Sequence, residues 1–157
     1  MKAPSFTKLF DELMRERGFS PDAQKRLCWR KDGPEATAFV SLQKQSFSKG
    51  YYVNYNIAFH RLASSGKPEI DESIVDGRNP ACFNTRQYVQ MQEYLDNAIS
   101  ISSDSNAQAE LVAMLDQQVA ALLSLTTARA LSNRLECEPP LDMYVRTRLL
   151  AEIDNWT

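Results

Sequence analysis

Residues 51–60 constrain the fold of this chain most strongly, because their side chains alternate in character. The odd positions are large and apolar, whereas the even positions are mostly polar or small. A period of two places successive side chains on opposite faces, which predicts a β-strand with one buried face. The other face must meet water or a partner. Its residues in this segment include Tyr52, Asn54, Asn56 and His60.

Two further strand candidates come before this segment. The first spans residues 26–31, and the second spans residues 36–45. In the second strand, Ala38 and its alternate neighbours share an apolar face, whereas Thr37 and its alternate neighbours share a mixed one. Short turns rich in Gly, Asp and Ser separate the three segments. Short turns between consecutive strands predict an antiparallel meander.

Helical periodicity is found at both ends of the chain. Near the N-terminus, Ser5 is expected to cap a first helix and Gly18 to end it in a left-handed conformation. In the C-terminal half, leucines at spacings of three and four predict a long helix. We expect this helix to break at Thr126 or Thr127, where a threonine caps a fresh helix. A last helix is expected over residues 141–156.

The middle of the chain gives weaker signals. Residues 61–79 are polar and rich in Gly, Ser, Pro and acidic residues, which indicates a loop. A helical turn over residues 70–74 is an alternative for part of it. Beyond this loop we predict one strand over residues 86–91 and another over residues 97–101, where alternation returns.

The order of these elements predicts an α+β fold in a single domain comprising residues 1–157. Its sheet is an antiparallel meander, with the N-terminal helix and the C-terminal helices packed on one face. The second sheet face then stays uncovered by helices, and we call it the open face.

Composition excludes some classes of function. The chain has 18 basic and 20 acidic residues, whereas a general nucleic-acid binder needs a strongly basic surface. Neither a membrane-spanning segment nor a signal peptide is recognisable, so we expect a cytoplasmic protein without membrane contact. Cys28, Cys82 and Cys137 lie far apart and lack metal or redox spacing, which indicates reduced thiols.

Several features together resemble a known family. These are the helix that runs to Gly18-Phe19, the residues Gln43 and Asn54 in successive strands, and the apolar spacing over residues 6–135. In these features the chain resembles the bacterial family catalogued as domain of unknown function 4304. The resemblance implies a soluble bacterial α+β domain, with no established activity and no known catalytic residues. Similar small domains often serve as immunity or partner-binding proteins, which is an analogy at the level of fold.

The sequence has few candidates for catalysis. His60 is the sole histidine, and its neighbour Arg61 provides no orienting carboxylate. The ordinary interpretation is a surface histidine at the end of a strand. Residues 69–76 hold four carboxylates, which suit a hard cation or a basic surface, but calcium-loop spacing is absent. We therefore interpret them as a solvated loop, and we predict no catalytic residue, no metal and no cofactor.

The open face is the preferred binding site. Its aromatic residues offer anchoring area, and its uncharged polar residues offer directional hydrogen bonds, a mixture typical of interfaces. The same mixture suits a small-ligand cleft. The plain alternative is a wet sheet face, or one covered by the loop at residues 61–79. The candidate residues are Phe39, Ser41, Gln43, Tyr52, Asn54, Asn56 and His60.

Three functional hypotheses follow. The first is an interaction module, of the immunity type, that binds one protein partner through the open face; Phe39→Ala and Asn54→Ala should then weaken capture with little loss of thermal stability. The second is a small-ligand-binding domain or an unrecognised enzyme, with a cleft between sheet and helices and polar groups from His60 and the cluster around Asp71. The third is a homodimer formed through the open face or an edge strand.

Overall fold

One antiparallel sheet and six α-helices form the structure, a computed structural model that describes residues 5–65 and 67–156. The strands lie in the sheet in chain order, from β1 to β6. This arrangement confirms the predicted α+β fold and its meander. The strands are β1 Ser20–Pro21, β2 Cys28–Asp32, β3 Ala36–Lys44, β4 Tyr51–Phe59, β5 Val75–Gly77 and β6 Tyr144–Val145. The helices are α1 Phe6–Glu16, α2 Thr85–Asp96, α3 Ala98–Ile101, α4 Ser105–Leu123, α5 Ala128–Leu135 and α6 Thr147–Glu152.

The centre of the sheet is the long pair β3 and β4. Each has nine residues, and they pair along their full length. The register places Val40 beside Tyr55 on one face and Ser41 beside Asn54 on the other. Alternation in the sequence therefore becomes a difference between the two faces of the sheet.

The apolar face of the sheet packs against the helices, as predicted. Its central side chains, Val40, Tyr55 and Ile57, are fully buried. Burying an aliphatic side chain such as Val40 or Ile57 stabilises the fold by about 1.5–3 kcal/mol. The helical residues of the same core include Phe10, Met14, Met91, Leu95, Leu115, Leu122 and Leu131.

The ends of α1 are those expected. The Ser5 hydroxyl accepts a hydrogen bond from the backbone N–H of Lys8 at 3.4 Å. At the other end, Gly18 has φ of 85°, in the left-handed region that favours glycine. Its backbone N–H bonds to the carbonyl of Arg15, and that of Phe19 bonds to Met14. This turn sends the chain from α1 into the sheet.

The predicted break in the C-terminal helices is confirmed at Thr127. Its hydroxyl accepts a hydrogen bond from the N–H of Ala130 at 3.2 Å and so caps α5. Together α4 and α5 would be long and apolar enough to cross a membrane, but they are bent by 107° at the break. Within the described residues, no single helix meets that length and composition.

Two predicted strands are wrong. Residues 86–91 belong to α2, because Asn84 and Gln87 form a capping box that starts a helix. The Asn84 side chain accepts from the N–H of Gln87 at 2.9 Å, and the Gln87 side chain accepts from the N–H of Asn84 at 3.1 Å. In place of the strand predicted over residues 97–101, Ala98–Ile101 form the short helix α3, in which Ile99 is 65% exposed while Ile101 is buried. The two isoleucines therefore do not share a face.

The last predicted helix is shorter than expected. It was predicted over residues 141–156, but α6 begins at Thr147 and continues as a 3₁₀ helix over Ile153–Asn155. The residues Tyr144–Val145 instead extend the sheet as β6, paired with β5. The C-terminal part of the chain thus returns to the sheet edge as β6, and this places Arg146 beside the open face.

The connection from β4 to β5 crosses the open face. A 3₁₀ helix, Ile70–Glu72, lies within it and confirms the predicted helical turn. The carboxylate of Glu72 accepts the N–H of Ser64 at 2.6 Å and that of Glu69 at 3.1 Å. These bonds fix the segment, and Ile70 packs against a cluster of buried side chains on the open face. We call residues 70–73 the strap.

Candidate functional site

The open face is divided into a covered half and a cavity. A row of side chains in register crosses both: Arg30, Phe39, Asn56, Asp76 and Tyr144, from β2 to β6. The first two residues of the row are buried, the next two are half-buried and Tyr144 is exposed. Access therefore increases along the row from β2 to β6.

The covered half is centred on Phe39, which is fully buried rather than exposed as an anchor. The guanidinium of Arg30 lies 5.2 Å from the centre of its ring. Ile70 of the strap packs on the same cluster, which also contains Cys28 and Ala58. Phe39 is consequently part of a small second core and has no surface to offer a partner.

Ion pairs fix Arg30 in this half. Its terminal nitrogens lie 3.3 Å from Asp22 and 2.9 Å from Asp32. Thr37 donates to Asp32 at 2.8 Å. Burial raises the pKa of Asp32, but the hydrogen bonds from Arg30 and Thr37 lower it more, so the pKa lies below its ordinary value. His60 is tied to this cluster, since its Nε2 lies 3.3 Å from Oγ1 of Thr37, and it does not line the cavity.

The cavity lies on the face of the sheet opposite the helices and encloses about 580 Å³. Its floor is formed by four of the predicted binding residues, on β3 and β4: Ser41, Gln43, Asn54 and Asn56. Its walls come from the β1–β2 loop, the strap, β5 and the residues after β5 and β6. These wall residues are Lys25, Ile70, Asp71, Ser73, Asp76, Gly77, Arg78 and Arg146.

A hydrogen-bonded network holds one corner of the cavity. Arg78 donates from Nε to Asn54 at 3.0 Å and from a terminal nitrogen to Gln43 at 3.2 Å. Asn54 also donates to Gln43, at 3.1 Å. The guanidinium carbon of Arg78 lies 3.9 Å from the centre of the Tyr52 ring, so Tyr52 supports the arginine from the sheet. These contacts fix the position of a charged group before any ligand arrives.

The charged groups of the cavity are not paired with one another. Among the described residues, the ammonium of Lys25 and the carboxylates of Asp71 and Asp76 form no ion pair. Arg146 donates from Nε to the carbonyl of Ser73 at 3.0 Å, a bond that fixes its orientation. The wall charges therefore stay available to a ligand.

The four carboxylates of residues 69–76 have two different roles. Glu69 and Glu72 form the capping box of the 3₁₀ helix, which is a local structural function. Asp71 and Asp76 line the cavity instead. In the described residues, no group of three or more histidine, cysteine, aspartate or glutamate side chains is arranged to hold a metal ion.

All three cysteines are free thiols, and none lines the cavity. Burial raises the pKa of Cys28 to about 12, so its thiol stays protonated and is a poor nucleophile. Cys82 accepts hydrogen bonds from Arg134 at 3.1 Å and from the N–H of Asp142 at 3.3 Å. These contacts join the loop before α2 to helix α5 and to the loop before β6.

The basic residues of the cavity walls were not predicted from the sequence, whereas the acidic run that contains Asp71 and Asp76 was noted as a polar candidate. Lys25 and Arg78 lie next to short strands in segments without periodicity, whereas Arg146 lies in a segment whose spacing predicted a helix and which contains the strand β6. Periodicity is the signal that found the floor, and it does not extend into loops. The available signal was a basic residue close to a strand end, and too many residues share that feature to single out these three.

Comparisons of this chain with protein-family models, with curated proteins and with solved structures found no match. The resemblance to the bacterial family of domain of unknown function 4304 stays a prediction. The fold and the site together define the class of protein. It is an α+β protein with a polar cavity on the open face of an antiparallel meander.

Proposed function

We propose that this protein is a small-ligand-binding domain and that its site is the cavity on the open face. The observation that supports the proposal is the convergence of amide, hydroxyl and charged side chains from several separate segments on one concavity. Its volume of about 580 Å³ falls within the range typical of ligand sites, roughly 300–1,000 Å³. The site lies on the sheet face away from the helices, not in a cleft between sheet and helices.

The arrangement suits binding because its polar groups are held in place. Arg78 and Asn54 are fixed by their hydrogen bonds, and Ser41 in the floor and Ser73 in the wall are both buried. A ligand that meets preorganised groups loses less free energy in ordering the protein. Asn56 makes no side-chain hydrogen bond with a described residue and is therefore free to bond to a ligand.

A ligand screen tests the proposal. A compound that binds the native state alone raises the midpoint of thermal unfolding. At one hundred times its Kd it adds about 2.7 kcal/mol to the free energy of unfolding. We expect polar compounds of cavity size to raise the midpoint. Asn56→Ala should weaken their binding about five- to tenfold, the equivalent of one hydrogen bond.

The matched control is Asn106→Ala, since Asn106 is an exposed asparagine in the first turn of α4, outside the cavity. This variant should bind like the unaltered protein. A screen in which no polar compound shifts the midpoint, or in which both variants bind equally well, contradicts the proposal.

A second candidate is the interaction module of the immunity type. The observation in its favour is Tyr144, which is 60% exposed and lies beside Asp76 at the cavity edge. Aromatic residues next to polar groups are typical interface anchors. If this candidate is right, a tagged chain should retain a stoichiometric protein partner that Tyr144→Ala loses and that Leu150→Ala, at another exposed apolar residue, keeps.

Self-association through a sheet edge has weaker support. Both edge strands, β1 and β6, are two residues long, and Pro21 in β1 has no backbone N–H. Short edges and proline are features that limit pairing between sheets. Light scattering that shows the mass of one chain would exclude a homodimer.

A further inference from the structure

The cavity concentrates positive charge in a chain that is slightly acidic. The whole chain has a net charge of −2, whereas the cavity walls carry three basic residues and two acidic ones. Lys25, Arg78 and Arg146 come from three separate segments and line the same concavity. Charges that line a concave surface act on a ligand more strongly than the same charges on a flat, solvated surface.

The two arginines are held ready for an anion. Arg78 is fixed through Nε and one terminal nitrogen, and Arg146 through Nε alone. In the described part of the chain, the second terminal nitrogen of Arg78 and both terminal nitrogens of Arg146 have no hydrogen-bond partner. Unused, oriented guanidinium donors match the geometry of a carboxylate or a phosphate.

The other lining residues indicate which functional groups the ligand carries besides its anionic group. Asp71 and Asp76 are acceptors, so they need hydrogen-bond donors opposite them. Asn56 and Ser41 can donate or accept. Among the described lining residues Ile70 is the sole large apolar side chain, so a bulky apolar or aromatic group would leave polar groups unpaired. Hydroxyl groups satisfy both requirements.

We therefore propose, building on the proposed small-ligand function, that the ligand is a small polyhydroxylated anion. Its carboxylate or phosphate lies between Arg78 and Arg146, and its hydroxyl groups bond to Asp71, Asp76 and the amides of the floor. Sugar acids and sugar phosphates share this chemistry. Lys25 adds charge at the cavity rim, where it attracts the anion.

A matched set of probes tests this ligand class by calorimetry. Sorbitol, gluconate and sorbitol phosphate share one hydroxylated carbon chain and differ at one end, which is neutral, a carboxylate or a phosphate. We expect gluconate or sorbitol phosphate to bind at least about tenfold more tightly than sorbitol, and the stronger of the two identifies the anionic group. Inorganic phosphate alone should bind more weakly than sorbitol phosphate, because it offers no hydroxyl chain to the aspartates.

The variant that tests the anion contact is Arg146→Gln, with Arg148→Gln as its control. Arg148 is an exposed arginine two residues further along, outside the cavity. We expect Arg146→Gln to weaken binding of the anionic probe about tenfold or more and to leave sorbitol unaffected, while Arg148→Gln changes neither. Arg78→Lys provides a second variant, which keeps the positive charge but loses the paired guanidinium donors. It should also weaken binding of the anionic probe.

The outcomes separate this inference from the proposed function. If sorbitol binds as tightly as its anionic counterparts, or if the arginine variants bind them normally, the ligand class is wrong but a ligand site remains. If inorganic phosphate binds as well as sorbitol phosphate, the inference that the ligand carries hydroxyl groups is wrong. If these probes are inert while other polar compounds bind and Asn56→Ala weakens them, the inference fails alone. If nothing in the screen binds, both fail.

Discussion

Phe39 carries the clearest prediction at the scale of a single residue. Its side chain is fully buried beneath Arg30 and Ile70. Phe39→Ala should therefore lower the free energy of unfolding by about 3–5 kcal/mol, since it leaves a cavity in a packed cluster. Denaturant unfolding measures this loss. The result would replace the expectation from sequence that this substitution leaves stability nearly unchanged.

Phe47 provides the matched control for that measurement. It lies in the turn between β3 and β4 and is 76% exposed. Phe47→Ala should change the free energy of unfolding by no more than about 0.5 kcal/mol. Equal effects of the two substitutions would mean that the strap does not cover Phe39 in solution.

The residues of the open face show what alternation in a sequence can predict. It placed Ser41, Asn54 and Asn56 correctly on the face that holds the cavity. It also placed Phe39 on that face, but alternation carries no information about what lies above a face. The covering of Phe39 depends on Arg30 and on a strap about thirty residues away in the chain, so it is a tertiary property.

At the scale of elements, the capping box of α2 is open to a direct test. Asn84→Ala removes the side-chain acceptor for the N–H of Gln87 and should cost about 1 kcal/mol of stability, the usual value for an N-cap. Thr85→Ala is the control, because the side chain of Thr85 is exposed at the first helical position and no described residue bonds to it. Thermal unfolding of both variants measures the difference, and equal midpoints would mean that the box contributes nothing.

This same element shows why part of the fold was not predictable. Residues 86–91 include Tyr88 and Val89, which favour strands, and their pattern alone does not separate a strand from a helix. The decisive signal is local: Asn84 followed three residues later by Gln87. Where such a cap was recognised, at Ser5 and at Thr127, the helix was placed correctly. Short elements such as α3 give too few residues for any period to show.

At the scale of the whole molecule, three carboxylates join separate elements by hydrogen bonds. Asp11 on α1 accepts from the indole N–H of Trp29 on β2 at 2.8 Å. Asp32 accepts from Arg30 within β2 and joins β2 to β3 through Thr37, and Glu72 fixes the strap. The sheet, its first helix and the cover of the open face therefore all depend on ionised acids.

The pKa values of these three groups are lowered on folding. For Asp11 the main cause is the hydrogen bond from Trp29, followed by that from Arg15. For Glu72 the causes are the backbone N–H groups of Ser64 and Glu69. For Asp32, burial acts in the opposite direction but is outweighed by its hydrogen bonds. In all three cases the folded protein holds the ionised form more strongly than the unfolded chain does.

Stability should therefore fall in acid. The unfolded chain binds protons first, near the ordinary carboxyl pKa of about 4, so the stabilisation is complete above that pH and is lost as the pH falls through the lower folded pKa values. Denaturant unfolding between about pH 7 and pH 3 should show a plateau and then a decline. In Asp11→Asn, the free energy of unfolding should decline less steeply with falling pH and should approach that of the unaltered protein at the acid end. The control is Glu12→Gln, at an exposed neighbour, which should keep the original slope. A stability that rises toward low pH would mean that these carboxylates do not hold the elements together.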